Sequence, residues 1–216
     1  MKACNPRRFV PANCRVQGPP LVPEIELYLA SEGLPLWQAG EAELAAAGLP
    51  EPFWAFAWAG GQGLARYLLD NPALIASKRA LDFAAGSGLA GIAAALAGAN
   101  RIEAADTDPF ALAALTHNGA LNGVALEALA EDLIGRANPG WDVVLAGDVC
   151  YEQPLAARAF PWLKDMAAGG ALVLLGDPGR SYLPKTGLER LAAYGLKTCR
   201  ALEDTDLRNA VVWRVL

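Results

Sequence analysis

Residues 80–98 read ALDFAAGSGLAGIAAALAG. The run from Ala80 to Ala85 is apolar and short, breaks at Gly86-Ser87-Gly88, and passes into an alanine-rich stretch with helical spacing, so the segment predicts strand, turn and helix in that order. The same alternation recurs downstream. RIEAAD (101–106) is a second strand, followed by a helix begun at Pro109, where the missing N–H suits the first turn. Leu126 to Ala130 is a third strand, WDVVLAGD (141–148) a fourth and GALVLLGD (170–177) a fifth, with a helix over about Leu155 to Ala168. Strands separated by helices at this interval imply βαβ units, hence a parallel sheet with helices on both faces. The rhythm ends at Gly195–Leu202 and Asn209–Leu216, two strands joined by the acidic loop EDTD with no helix between, which predicts an antiparallel pair at the sheet edge.

Upstream, Glu24–Gly33 (EIELYLASEG) and Glu41–Gly48 (EAELAAAG) have helical spacing and are punctuated by Pro19, Pro20, Pro23, Pro35 and Pro50. They predict short helices laid on a larger body, so residues 1–50 are expected to form an N-terminal extension and 51–216 the main domain. PFWAFAWAGG (52–61) is an aromatic cluster ending in a glycine pair, and GLARYLLDN (63–71) is a helix closed by Asn71 and Pro72.

The 216 residues suffice for one domain with a sizeable core, and 54% hydrophobic with 19% charged residues argues against disorder. A formal charge of −5 without a Lys/Arg block disfavours nucleic-acid binding and favours a cationic partner. No stretch reaches the roughly 20 unbroken apolar residues of a membrane span, and the first residues lack the apolar run of a secretory signal, so a cytoplasmic, monomeric protein without a membrane partner is expected. Cys4, Cys14, Cys150 and Cys199 are scattered and read as free thiols. The single histidine, His117, reads as a helix-surface residue, and neither a metal site nor a Ser-His-Asp triad is expected.

Ligands of open α/β sheets sit beyond the carboxyl ends of the strands. Those ends carry Asp82 with Gly86, Ser87 and Gly88, then Asp106, Asp132, and Gly147-Asp148. Glycine lets the backbone approach a ligand closely, Asp106 is placed to accept hydrogen bonds from two ribose hydroxyls, and Asp132 is a candidate for an adenine amino group. Gly86 to Gly91 also satisfies the GxGxxG fingerprint, which leaves a nicotinamide dinucleotide and S-adenosylmethionine both open. Two features favour the methyl donor: Asp82 suits a methionine ammonium better than a pyrophosphate, and no second domain follows the sheet to hold a hydride acceptor.

With these residues in place, the chain resembles the seven-strand class of S-adenosylmethionine-dependent methyltransferases. Within it, Asp148-Val-Cys-Tyr151 matches the Asp/Glu-x-x-Tyr/Phe motif of a group of protein methyltransferases. PFWAFAWAGG, LARYLLDNP, LDFAAGSGLAGIAAA, GDVCYE and GDPGR together resemble the electron transfer flavoprotein β-subunit lysine methyltransferases and their bacterial relatives, over about Val22 to Arg180. The departure is Ala84, where the cofactor loop usually has its first glycine.

The resemblance implies a single Rossmann-like α/β domain, with a mostly parallel seven-stranded sheet and a C-terminal antiparallel hairpin. It implies S-adenosylmethionine as donor, S-adenosylhomocysteine as product, and a flavoprotein β subunit as partner. It also implies that Trp58 flanks the cofactor, Gly86 and Gly88 meet its methionine part, Asp106 its ribose and Asp132 its adenine. Gly147 would line the pocket, and Asp148 and Tyr151 would border the lysine channel.

The acceptor amine must be neutral, and at an ordinary lysine pKa near 10.4 only about one side chain in a few thousand is neutral at pH 7. A nearby sulfonium and an aromatic channel lower that pKa while Asp148 raises it, so Asp148 is expected to capture and aim the amine rather than act as a strong base. Simpler roles compete: core packing for some of Trp54, Phe56 and Trp58, a turn contact between Asp148 and Tyr151, an N-cap for Asp132, and a turn for GDPGR, in which Arg180 is alternatively a carboxylate ligand. The competing functions are a small-molecule methyltransferase, a nicotinamide oxidoreductase and a non-catalytic cofactor-binding module.

Overall fold

The computed structural model describes residues 5–31, 49–197 and 207–216, together with Gly40, Leu44 and Ala46. Helix α1 (Pro6–Asn13) leads into strands β1 (Arg15–Gln17) and β2 (Leu27–Leu29), which pair antiparallel. A 3-10 turn (Phe53–Ala55) precedes α2 (Ala59–Asp70). There follow β3 (Arg79–Phe83), α3 (Leu89–Leu96), β4 (Arg101–Ala105), α4 (Pro109–Leu121), β5 (Glu127–Leu129), β6 (Val143–Gly147), α5 (Gln153–Ala168), β7 (Leu172–Asp177), β8 (Leu188–Lys197) and β9 (Leu207–Val215). The large sheet has seven strands in the order β5-β4-β3-β6-β7-β9-β8, parallel from β5 to β7, with β9 antiparallel to both neighbours. The order reverses between β3 and β6, so the crevice of a doubly wound sheet falls at the ends of these two strands.

Strand alternation divides the core between the two faces. Leu145 and Leu174 face Leu64, Leu68 and Ile92 of α2 and α3, while Val144, Val173 and Leu175 face Trp162, Leu163 and Met166 of α5. Val22, Ile25, Leu27 and Leu29 join the first cluster, so the N-terminal segment is packed into the main hydrophobic core. Two buried or half-buried amides dock it. Asn118 Oδ1 accepts from Tyr28 N (2.8 Å) while its Nδ2 donates to Ser87 O (2.8 Å), and Asn122 exchanges hydrogen bonds with Glu26.

Several elements differ from the sequence expectation. Within the expected helix Glu24–Gly33, residues 27–29 are the strand β2, with Leu27 and Leu29 buried and Tyr28 between them; the part from residue 32 onward lies outside the described residues. Alternating apolar residues so few in number fit either period, and pairing with β1 decides. Of Glu41–Gly48, Leu44 and Ala46 are helical and the rest lies outside the described residues. Helix α1 is additional to the elements expected, although Asn5 caps it through Arg7 N at 3.0 Å and Pro6 sits in the first turn. The first hairpin strand begins at Leu188, seven residues before the expected Gly195, because a register shift between Arg190 and Ala192 disturbs the alternation; residues 198–206 lie outside the described residues. Among the described residues no helix is long and apolar enough to cross a membrane. Cys14 and Cys150 are free, buried thiols, and Cys4 and Cys199 lie outside the described residues. His117 lies part-exposed on α4, where its Nε2 is 2.8 Å from Arg7 O and its ring meets Tyr28 edge-on.

One polar network ties the sheet together away from the switch point. The buried Glu103 carboxylate receives both hydrogen bonds from Arg79 at 2.9 Å, pairs with Arg101 at 3.1 Å and accepts from Trp141 Nε1. Burial alone would raise its pKa, but the Arg79 and Trp141 hydrogen bonds outweigh that and hold it below the usual range. A lowered native pKa means that the stabilisation is present above the unfolded pKa and is lost as pH falls through the native one. Glu103→Ala is therefore expected to cost about 1–2 kcal/mol at pH 7, since it leaves the buried Trp141 Nε1 without its acceptor and the part-exposed Arg79 without its partner. The difference from wild type should shrink below about pH 4, as measured by urea denaturation across pH.

Candidate active site

At the end of β3 the chain turns through Ala84 (φ 52°), Gly86 (φ 51°) and Gly88 (φ 82°) into α3. Gly88 is favoured by its φ, and a Cβ there would also displace the Leu115 side chain, whose Cδ2 would lie 2.6 Å away. It backs onto α4 and is absent from the walls of the cleft. Gly86 is different: an added Cβ would meet only Trp54 Cα, at 3.7 Å, and the residue lines the cleft.

Asp106 follows β4 and braces this turn. Its Oδ2 accepts from Gly86 N and its Oδ1 from Asp108 N, both at 2.9 Å. Asp82, inside β3, is almost fully buried and accepts from Gly91 N at 2.8 Å. Burial pushes its pKa up to about 7, with the Gly91 N–H opposing and the Asp106 charge adding to the rise.

On the other side of the switch point β6 ends at Gly147, and Asp148 takes a left-handed conformation (φ 54°), which Asp tolerates better than most residues. The side chain is buried, and its Oδ2 accepts from Gly61 N at 2.7 Å, in the first turn of α2, where helix amides point outward. That contact depends on small residues. Gly60 lies so close to Gly176 that a Cβ on either would collide with the other's carbonyl, and a Cβ on Gly147 would lie 3.0 Å from Gly61 Cα. Burial pushes the Asp148 pKa up to about 7; Arg180 and the Gly61 and Gly60 amides pull the other way, and Asp177 adds to the rise.

These elements enclose a cavity of about 570 Å³, large enough for a nucleoside-sized ligand. Its walls bring together Trp58, Gly86, Asp106, Asp132, Gly147, Asp148 and Tyr151 of the residues singled out from sequence. A recess of about 60 Å³ shares Trp58, Gly86, Gly147 and Asp148 and adds Asp82 and Ser87. Asp132 stands at the exposed rim, where it accepts from Ile134 N at 3.1 Å and pairs with Arg158 at 2.6 Å. Its pKa is lowered by the Arg158 hydrogen bond and then by the Ile134 amide. Trp58 is half-buried and donates from Nε1 to Phe53 O at 2.8 Å. Trp54 is buried and stacks on Phe110. Tyr151 is 39% exposed at the mouth, with its ring 5.2 Å from that of Phe53; burial of part of its surface and nearby acidic groups raise its pKa, so the phenol stays protonated at neutral pH.

Three contributors carry little signal in the sequence. The glycine pair Gly60-Gly61 stands out, but its amides lie in the first turn of α2 rather than ahead of the helix. Phe53 shows nothing beyond belonging to an aromatic cluster. Arg180 reads as part of a turn, and its reach to Asp148 is a tertiary contact without a local signature.

A parallel sheet with one reversed strand, a glycine turn and strand-end carboxylates around a switch-point cavity define the seven-strand methyltransferase class. Comparisons with known proteins agree. A family model described as ribosomal protein L11 methyltransferase (PrmA) matches residues 67–149. Among solved structures, the ribosomal protein L11 methylase of Lactobacillus delbrueckii subsp. bulgaricus superposes with a TM-score of 0.53 at 19% identity, covering 74% of this chain and 81% of that one. Magnesium protoporphyrin IX methyltransferase from Synechocystis does so at 0.53 and 16%, covering 73% and 80%. Both show the fold. Closer in sequence are two electron transfer flavoprotein beta subunit lysine methyltransferases. That of Danio rerio is 38% identical over 90% of this chain and 76% of its own length, and that of Xenopus laevis is 37% identical over 96% and 86%. The chain belongs to this family of methyltransferases.

Ala84 occupies a left-handed conformation that favours glycine, at the position where the cofactor loop usually has one. Ala84→Gly is expected to relieve that strain and raise stability by roughly 0.5–1 kcal/mol, net of the added freedom of the unfolded chain. Chemical denaturation checks this; a loss of stability would mean that the Ala84 methyl contributes more by packing than its backbone costs.

Proposed function

We propose that the protein transfers methyl groups from S-adenosylmethionine to lysine side chains of a protein, the β subunit of an electron transfer flavoprotein. The observation that carries this reading is that Asp148 and Tyr151 line the same cavity as Gly86 and Asp106, in a chain closely related to enzymes named for that reaction.

The residues present fit the donor. Gly86 leaves the wall open, Asp106 offers a carboxylate whose orientation two backbone amides fix, and Asp82 offers a second carboxylate in the adjoining recess. Asp106 would hold the ribose, Asp82 the methionine ammonium, Asp132 the adenine edge, and Trp58, Ser87 and Gly147 the walls around them. When bound, the donor supplies an electrophilic methyl group.

The chain's own residues must deliver a neutral amine to that group. Phe53, Trp58 and Tyr151 at the mouth exclude water from an inserted lysine stem, which favours the uncharged amine. Asp148 Oδ2 is engaged by Gly61 at 2.7 Å, and Oδ1, with Arg180 Nη2 at the longer distance of 3.4 Å, is the oxygen that receives the ammonium. A carboxylate whose pKa burial has brought to about 7 is a far better proton acceptor than an ordinary aspartate. Asp148 thus both aims the amine and takes its proton, a stronger role than aiming alone. Tyr151 remains protonated and supplies a wall and a hydroxyl.

Incubation with an electron transfer flavoprotein and S-adenosylmethionine should add methyl groups to lysines of the β subunit, read by mass spectrometry. Asp148→Asn should slow the transfer about 10²- to 10⁴-fold while cofactor affinity changes little. Transfer only to metabolites, or an undiminished rate in the variant, would contradict the reading.

A further inference from the structure

We propose that Arg180 is a positioning residue of the transfer site: its guanidinium, held against the Trp58 ring and beside Asp148 Oδ1, keeps the Asp148 carboxylate charged and fixes the aromatic wall along which the acceptor side chain lies. The inference rests on the methyl-transfer reading of this cavity and concerns a residue outside the D-x-x-Y run.

The placement of Arg180 is built into the turn after β7. Asp177, fully buried at the end of that strand, accepts from both Gly179 N and Arg180 N through Oδ1 at 2.7 Å. Leu183 N then bonds Arg180 O at 3.1 Å and closes the loop. Among the contacts of the side chain emerging from this turn, Nη2 lies 3.4 Å from Asp148 Oδ1, and Cζ lies 5.5 Å from the Trp58 ring centroid. At 3.4 Å the first contact is chiefly coulombic, and a guanidinium over an indole face adds attraction of its own. The side chain is 20% exposed and that of Asp148 9%, so solvent screens the pair only in part.

The other groups around Asp148 show why a cation is needed there. From β7, the Asp177 charge opposes ionisation of Asp148, as does burial; from α2, the Gly60 and Gly61 amides favour it. Cys150, next along the chain but one, is a thiol that burial pushes up to about 12, so it contributes no charge at neutral pH. On Asp148, the Arg180 charge acts against that of Asp177. The resulting division of labour assigns Oδ2 to the helix amides and Oδ1 to the cavity, with Arg180 steering the second oxygen. A guanidinium so placed also disfavours a second positive charge beside it, which helps an approaching ammonium to give up its proton.

The test is a carbon-detected NMR titration of the Asp148 carboxyl in the ligand-free protein, assigned with Asp148→Asn, in wild type, Arg180→Met and Arg180→Lys. Arg180→Met should move the Asp148 midpoint upward by about one pH unit or more, and Arg180→Lys should recover most of that shift. The acidic limb of kcat/KM for methyl transfer should move by the same amount in the same direction. Coincident midpoints in wild type and Arg180→Met, with unperturbed amide spectra, would overturn the inference whatever the wild-type protein methylates. A shifted midpoint in a wild-type protein that transfers no methyl would instead overturn the lysine reading and leave the Arg180–Asp148 coupling standing.

Discussion

The close approach of Gly60 to Gly176 is the constraint on which the site depends. Without side chains at these positions, and with Gly147 against Gly61, α2 lies directly on the ends of β6 and β7. Its first-turn amides then reach the Asp148 carboxylate, which would otherwise be a buried charge with few partners. A larger residue at Gly60, Gly147 or Gly176 would lift the helix from the sheet, remove the Asp148 anchor and open the cavity together. Packing and chemistry share one contact.

From that contact the cavity can be followed outward. Sheet order places β3 and β6 side by side with their helices on opposite faces, so the glycine turn and Asp148 face one another across the switch point. Asp106 stiffens one wall through Gly86, and α4 stiffens the loop from behind, by Leu115 against Gly88 and by Asn118 on Ser87. The same asparagine holds β2, so the N-terminal hairpin supports the glycine turn rather than merely covering the core. At the far end of the strands, Glu103 and its two arginines fasten β3 to β4 without entering the cavity.

How much of this is legible in the sequence follows from the range of each interaction. The βαβ rhythm and the strand-end carboxylates are local, set by apolar period and by glycine, and they can be read directly. Residues 27–29 read as helix because three residues do not define a period and the strand exists only by pairing with Arg15–Gln17. The early start of β8 is hidden by a register shift, whereas the capped Asn5-Pro6 start of α1 has a local signature that the expectation omits. Gly61 and Arg180 act on Asp148 from 87 and 32 residues away in sequence, which no local pattern encodes. Gly88 is legible from its motif position and its left-handed φ, whereas the Leu115 side chain behind it is a tertiary neighbour that no local pattern encodes.

Beneath all of this lies one claim, that the switch-point cavity holds the methyl donor through Asp106 and the Gly86 turn. Isothermal titration of wild type and Asp106→Ala with S-adenosylhomocysteine addresses it most directly. The expected result is one site per chain in the wild type and a Kd about 10- to 100-fold weaker in the variant, the loss that removing hydrogen bonds to a charged group entails. Equal affinity in the two proteins, or no binding to the wild type at high ligand concentration, would contradict it.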